Sequence, residues 1–388
     1  MRSLPPLLML AFATLFYFGL TDNARGPVYP NILSQFNLTS FAGSAFFALS
    51  SLSGLIITIL AKYWLKYIDL KESFFYASLI LALSSLCLAL ASEFNHVPLL
   101  YLSSVLIGIG MGFCSMSMNL VVEEEVAPAK RRQAFAGLHT TYGIASLLSP
   151  LFYASIISFD KPWNFYFYLL AIAGLVPVIL IKFKKADVLY AKFHDHTQEL
   201  EFNLPIPFLL TLSLSVGTYV ASEIAVSSRL VYYLQTIHNY SEAQASNGLA
   251  LFFLLLTGGR LSLALFSWKI ASIKLMFISL MSTCLLGIIG VTYYPLALAF
   301  TGLSMSIFFP SLMDWLGSQF PKRFTQVTSF ALTGVGAHLV FMHLGFGSLV
   351  DYLGLKTAMT LPIYLTVFSF LMLCLFKSWN QRLTKVSL

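Results

Sequence analysis

Asp22, Asn23 and Arg25 interrupt an otherwise apolar stretch, GLTDNARGPVYPNI (19–32). Residues three apart share a helix face, so this carboxylate and guanidinium are placed to neutralise each other in part. Asn23 adds donors and an acceptor beside them. Pro27 and Pro30 disturb the helix and free backbone carbonyls. A carboxylate in such surroundings can take up and return a proton; the plainer alternative is an ion pair at a membrane boundary. A second stretch, GTYVASEIAVSSRLVYYL (217–234), holds Glu223 and Arg229 among Ser222, Ser227 and Ser228. These two charges are six residues apart and do not share a face. Each is expected to find a partner on another helix or in a bound solute.

The third stretch is GLHTTYGIASLLSP (137–150). Here Tyr142 is suited to lie against a sugar, and His139, three residues earlier, titrates near neutral pH when unperturbed. For His139, as for His338 and His343, plain packing is the competing reading. Arg260, after Gly258 and Gly259, and Asp314 fall toward the inner ends of their segments, where ion pairing would serve a gate. Glu123, Glu124 and Glu125 stand opposite Lys130, Arg131 and Arg132 across a short connection, a pattern read as a solvated charge cluster that stabilises a gate. His194, Asp195 and His196 look like a metal tract, but no further ligands are near them in sequence. No phosphate-cradling loop ending in Lys-Ser/Thr, nucleophile elbow or zinc-binding helix occurs. The chain therefore reads as a non-enzyme with no cofactor and no metal.

The elements that must position these residues follow from composition. Of 388 residues, 58% are hydrophobic and only 10% charged, and the mean hydropathy is +0.80. A soluble domain has about 25% charged residues, so lipid must be the solvent for most of this surface. The apolar runs are long and unbroken, which favours helices over the alternating strands of a barrel. Twelve spans are expected, at 5–32, 40–62, 73–92, 98–121, 133–158, 163–183, 205–235, 242–268, 273–293, 295–316, 325–349 and 358–377. A charge at the bilayer centre costs about 2.5–3.5 kcal/mol on insertion scales, so each charge named above needs a reason to be there. Arg2 followed by an apolar stretch resembles a signal peptide, but no small-residue cleavage pattern follows, and the segment reads as the first span. Cys87, Cys114, Cys284 and Cys374 all sit in apolar runs, as buried reduced thiols would, rather than in a disulfide framework.

Lys and Arg gather in the loops after even-numbered spans, with Lys62, Lys66, Lys71, Lys130 and Lys182 among them, and at the termini. This excess places both termini in the cytoplasm of a multi-pass plasma (inner) membrane protein. The net charge of +7 belongs to that asymmetry rather than to nucleic-acid binding. The polar stretch 184–204 divides the chain into an N-terminal six-helix bundle (1–183), a cytoplasmic linker (184–204) and a C-terminal six-helix bundle (205–388). A weak internal repeat runs across the two halves. Gly43, Phe47 and Gly54 match Gly248, Phe252 and Gly259 at one offset; GIGMG (108–112) matches GLSMS (302–306); Gly143 matches Gly336. The stretch GSLVDYLGLK (347–356) spells something like an inner-loop gating motif but falls on the outer side, where a tight turn is expected. The corresponding inner loop, AKYWLKYIDLK (61–71), departs from that motif.

The sequence resembles the major facilitator superfamily over its whole length. Within it, NLVVEEE (119–125) followed by AGLHTTYGIASLLSP (136–150), the segment around Glu223 and Arg229, and FFLLLTGGR (252–260) are similar to the fucose permease-like sugar:proton symporters. That resemblance implies an all-α membrane fold of two six-helix bundles working by alternating access. It also implies a membrane carboxylate for proton coupling and polar groups from both halves for substrate, with Asp22 and Asn119 as matching positions. The expectation is a proton-coupled carrier of a small polar solute, a sugar or sugar acid, acting as a monomer in the lipid bilayer. Asp22 and Glu223 would load the proton. Asn23, Arg25, Asn119, His139, Tyr142 and Arg229 would face the solute, and Arg260 and Asp314 would serve the gate. Arg25 and Arg229 together also fit an anionic substrate. The rival reading is efflux of amphipathic or lipid-like compounds through a cavity lined by Phe and Met, with Asp22 and Arg25 outside it. A third, a sensor on a transporter scaffold, would need a signalling domain.

Overall fold

Runs of twenty or more apolar residues become helices because lipid offers no partner for a free backbone amide or carbonyl. The computed structural model describes residues 6–183, 204–266, 269–321 and 323–386. Among them twelve helices are long and apolar enough to cross a membrane: α1 (Pro6–Gln35), α2 (Ser40–Ile59), α3 (Leu70–Glu93), α4 (Val97–Glu125), α5 (Ala134–Ser158), α6 (Trp163–Ile181), α7 (Ile206–His238), α8 (Glu242–Leu263), α9 (Ser272–Thr292), α10 (Ala297–Gln319), α11 (Phe330–Leu353) and α12 (Leu355–Asn380). All twelve expected spans are present. Their ends differ by a few residues where caps, not hydropathy, set the boundary. Thus α3 starts at Leu70 because Asp69 and Glu72 form a reciprocal capping box. The expected linker and the His194–His196 tract lie outside the described residues, apart from Leu204.

The two halves repeat each other in detail. Asn37 after α1 and Asn239 after α7 both adopt left-handed backbone, with φ of 50° and 56°. Thr39 then caps α2 and Ser241 caps α8 through their side chains. Within the first half α2 packs on α4, α1 on α5 and α3 on α6. In the second half α8 packs on α10, α7 on α11 and α9 on α12. The aligned glycines occupy equivalent contacts. Gly108 of α4 presses on the Ser50 backbone of α2, and Gly302 of α10 presses on the Phe252 backbone of α8. Small residues permit such approach where no hydrophobic force drives helices together. The halves meet through α2 against α11 and α5 against α8. There Gly143 of α5 faces Thr257 of α8, and Gly336 of α11 faces Leu55 of α2. The repeat is therefore visible as an exchange of equivalent contacts about a pseudo-two-fold axis.

The end bearing the α1–α2, α7–α8 and α11–α12 turns is the outer end by the charge reading. Polar ties between the halves are found there. Asp351 of α11 accepts hydrogen bonds from the backbone amides of Ser40 and Phe41, both at 2.8 Å, at the start of α2. Glu242 of α8 accepts from Tyr153 of α5 and Asn31 of α1. The motif-like stretch 347–356 does turn tightly, at Gly354 with φ 81°, but its aspartate also fastens the opposite half. At the other end, Arg131 donates to the carbonyls of Val126 and Glu123, so it closes the last turn of α4 through the backbone. The four cysteines are free; Cys114 is buried, whereas Cys374 is exposed, since its run faces outward from α12.

Candidate functional site

Helix α1 is interrupted at Ala24, after Asn23 and before Arg25. The missing amide of Pro27 leaves the Asn23 carbonyl without its helical donor, and the ring of Pro30 crowds the Gly26 carbonyl; beside them Arg25 Nε donates to the Asp22 carbonyl at 3.2 Å. The guanidinium also holds the Asp22 carboxylate as an ion pair. Its Nη1 donates to Ser50 Oγ of α2 at 2.6 Å. From α5, the Tyr142 hydroxyl donates to Asp22 Oδ2 at 2.7 Å. Asn23 Nδ2 donates to Ser146 Oγ at 2.9 Å and to the Tyr142 oxygen at 3.3 Å. The structure thus brings Asp22, Asn23, Arg25 and Tyr142 together with Ser50 and Ser146.

The second half builds the same constellation from different positions. Glu223 of α7 pairs with Arg260 of α8 at 3.1 Å. The Tyr219 hydroxyl, one turn earlier on α7, lies 2.8 Å from Glu223 Oε2 and 2.6 Å from the Met305 carbonyl of α10, with one hydrogen to offer to either acceptor. Measured from the matching caps, Asp22 lies 17 residues before Thr39 and Glu223 lies 18 before Ser241. Each half therefore sets one carboxylate, one arginine and one tyrosine hydroxyl at the same depth. Helices α1 and α7 are surrounded by neighbours from their own half and by each other, so neither presents these side chains to lipid. The carboxylates keep a residual side-chain exposure of 18% at Asp22 and 13% at Glu223.

The remaining expected site residues are placed differently. Arg229 does not join the mid-depth clusters. It is fully buried on the outer half of α7, at the seam between the two bundles, with its guanidinium carbon 4.2 Å from the Tyr29 ring centroid and 4.3 Å from that of Phe47. Arg260 pairs with Glu223 inside its own half, and Asp314 accepts from Ser272 on α9; in this conformation neither bridges the halves. His139 is exposed, its ring 6.4 Å from that of Phe309 on α10 across the interface. Asn119 is exposed in the last two turns of α4. His338 is taken up in packing: its Nδ1 lies 2.7 Å from the Gly334 carbonyl, and Gly217 backs onto its ring. His343 is buried and stacks on Phe47, ring centroids 5.2 Å apart. Tyr219, Asn31, Tyr153 and Glu242 are not marked in the sequence, and Asp351 is marked only as part of a turn. The four-residue spacing of Tyr219 and Glu223, one turn of helix, was the available signal for the first; nothing local marks the partners of the others.

Two six-helix bundles, related by a pseudo-two-fold axis and holding charged clusters at their centre, define a multi-pass membrane carrier. The chain belongs to the Major Facilitator Superfamily, whose profile matches residues 10–342; members of this family are transporters, not enzymes. Among solved structures it is similar to the E. coli fucose:proton symporter FucP, at 17% identity and a TM-score of 0.63, covering 95% of this chain and 98% of that one. A bacterial homolog of the human lysosomal transporter Spinster, in an inward-facing and occupied conformation, gives 14% identity and a TM-score of 0.71, covering 98% of each chain. A D-xylose-proton symporter gives 14% identity and a TM-score of 0.71, covering 95% of this chain and 96% of that one. At these identities the likeness is one of fold. A curated relative, sugar transport protein 3 of Arabidopsis thaliana, is 31% identical over 149 residues, which is 37% of this chain and 27% of that protein. The match thus spans about a quarter of the relative's length.

Proposed function

We propose that this chain is a secondary active transporter that moves a small polar solute, a sugar or sugar acid, by alternating access coupled to protons. The observation that carries the reading is the matched carboxylate–arginine–tyrosine cluster in each half. While Asp22 or Glu223 is charged, it keeps its arginine occupied. Protonation releases Arg25 or Arg260 from a charge-assisted hydrogen bond and makes the guanidinium available to a solute hydroxyl or carboxylate. Proton loading and solute binding thereby favour each other, which is the requirement for symport. Asn23 and Tyr142 supply further hydrogen bonds, and His139 and Asn119 lie nearer the inner mouth. Arg260 serves both the Glu223 pair and the inner gate, with Asp314 beyond it. One proton entering down the membrane potential supplies about 2.3 kcal/mol per 100 mV.

Printed descriptions of the similar proteins, a fucose:proton symporter, a D-xylose-proton symporter and a sugar transport protein, favour the same solute class. Efflux of amphipathic compounds called for a cavity lined by Phe and Met with Asp22 and Arg25 outside it; the polar ties of Asp22 and Arg25 to Ser50 and Tyr142 support the polar-solute reading instead. The carrier acts as a monomer in the plasma membrane with both termini in the cytoplasm. The test is solute-driven proton uptake in proteoliposomes. Wild type is expected to couple, and Asp22→Asn and Glu223→Gln to lose coupling; proton uptake that persists in both variants overturns the assignment.

A further inference from the structure

Arg229 is a buried cation without an anion. Its Nη2 donates to Ser44 Oγ at 3.1 Å, while its Nε and Nη1 have no hydrogen-bond partner. Among the described residues no carboxylate pairs with it. It is held instead by aromatic faces: Tyr29 and Phe47 of the first half, and Phe346 of α11 at 5.3 Å. The guanidinium of Arg25 lies over the same Phe47 ring at 5.1 Å. His343 stacks on that ring as well, and its Nδ1 is also unpartnered. Three basic side chains from α1, α7 and α11 therefore gather round one phenylalanine of α2. Against them stands Asp22, which Arg25 and Tyr142 already engage.

A charge taken out of water is costly unless paired and fully hydrogen-bonded, and cation–π contacts offset only part of that cost. An arginine buried here with hydrogens unused points to a counter-ion that comes and goes. The seam supplies the route. Ser44, Tyr29 and Phe47 belong to the half opposite Arg229, so parting of the outer end strips the guanidinium of its hydrogen bond and two of its three rings. It is then a bare cation on the wall of the outer vestibule, where a positive field concentrates anions. Nη2 has two hydrogens. Whichever one Ser44 takes, the other completes a two-hydrogen fork with Nε or Nη1, and such a fork matches the two oxygens of a carboxylate.

Building on the transporter reading above, we propose that the solute bears a carboxylate and that Arg229 is its ligand when the outer face is open. On closure Ser44, Tyr29 and Phe47 reclaim the guanidinium, so the carboxylate is displaced toward Arg25 and the centre of the bundle. Closure of the outer face and inward passage of the anion are then one event.

The test is equilibrium binding to purified carrier in nanodiscs, with D-glucuronate and D-gluconate set against D-glucose, and with chloride and inorganic phosphate as competitors. Wild type is expected to bind the acids at least about tenfold more tightly than D-glucose. Arg229→Met should weaken binding of D-glucuronate and D-gluconate at least about tenfold more than that of D-glucose, so that the preference is lost, and Arg229→Lys should restore part of it. In case Arg229→Met does not fold, phenylglyoxal modification of wild type is read by mass spectrometry at Arg229, where D-glucuronate should protect and D-glucose should not. A preference that survives in folded Arg229→Met, or protection by D-glucose equal to that by D-glucuronate, overturns the proposal. Chloride or phosphate displacing D-glucuronate at equal concentration also overturns it, since the site would then hold a simple ion. Binding of D-glucose without binding of the acids removes the carboxylate but leaves a carrier of neutral polar solutes; binding of none of the three removes both readings.

Discussion

Loss of the Asp351 carboxylate should loosen the outer end by a calculable amount. Asp351 accepts two backbone hydrogen bonds at 2.8 Å from the first turn of α2, where the helix dipole also favours negative charge. The site is part-exposed, so the two bonds together are worth about 1.5 kcal/mol. Asp351→Ala should then shift the ratio of outward-closed to outward-open molecules about tenfold toward open. Glu242 forms the equivalent tie on the other pair of helices, accepting from Asn31 and Tyr153, and Glu242→Ala should act by a similar amount. The two ties share no partner, so their effects should add, giving about a hundredfold in the double variant. The assay is electron–electron double resonance between nitroxides at the exposed outer positions Phe94 and Tyr352, in nanodiscs, with the four native cysteines replaced. The longer-distance population should grow in each single variant and grow further, multiplicatively, in the double. A double variant with the wild-type distance distribution would refute the view that these carboxylates hold the outer end closed.

Other substitutions test the packing and the buried pair. Gly108→Val places a Cβ 2.8 Å from the Ser50 carbonyl carbon; forcing α2 from α4 should cost about 1–3 kcal/mol or more, read as a fall in melting midpoint in detergent. Gly258→Ala meets nothing within 4 Å and should stay within about 0.5 kcal/mol of wild type. Arg260→Met should destabilise the chain by leaving Glu223 unpaired, and adding Glu223→Gln should recover part of the loss, with a coupling of about 1–3 kcal/mol in a double-mutant cycle. Strictly additive losses there would mean that the Glu223–Arg260 contact has no energetic weight.

The Asp22–Arg25 pair was legible because it is local: three residues on one helix determine a shared face. The Glu223–Arg260 pair was not, since it joins two helices whose relative rotation is set by packing. Arg229 illustrates the limit best. Its type and position marked it for function, and the sequence offered either a solute or a charged partner; the structure surrounds it with Tyr29, Phe47 and Phe346 from three other helices. Asp351 was read within a turn, and Gly354 does make that turn, but the second role of Asp351 at the start of α2 depends on a contact 311 residues away in sequence.

The sequence by itself determined that lipid is the solvent and that the chain crosses it twelve times, and it pointed, weakly, to a repeat between the two halves. Lipid leaves the backbone little choice but helix, and hydropathy registers that constraint residue by residue. The tertiary structure alone decided which charges meet. Side chains on separate helices become neighbours only through the crossing and rotation of packed helices, fixed here by close approaches such as Gly108 to Ser50 and Gly302 to Phe252, which spacing along the chain does not encode.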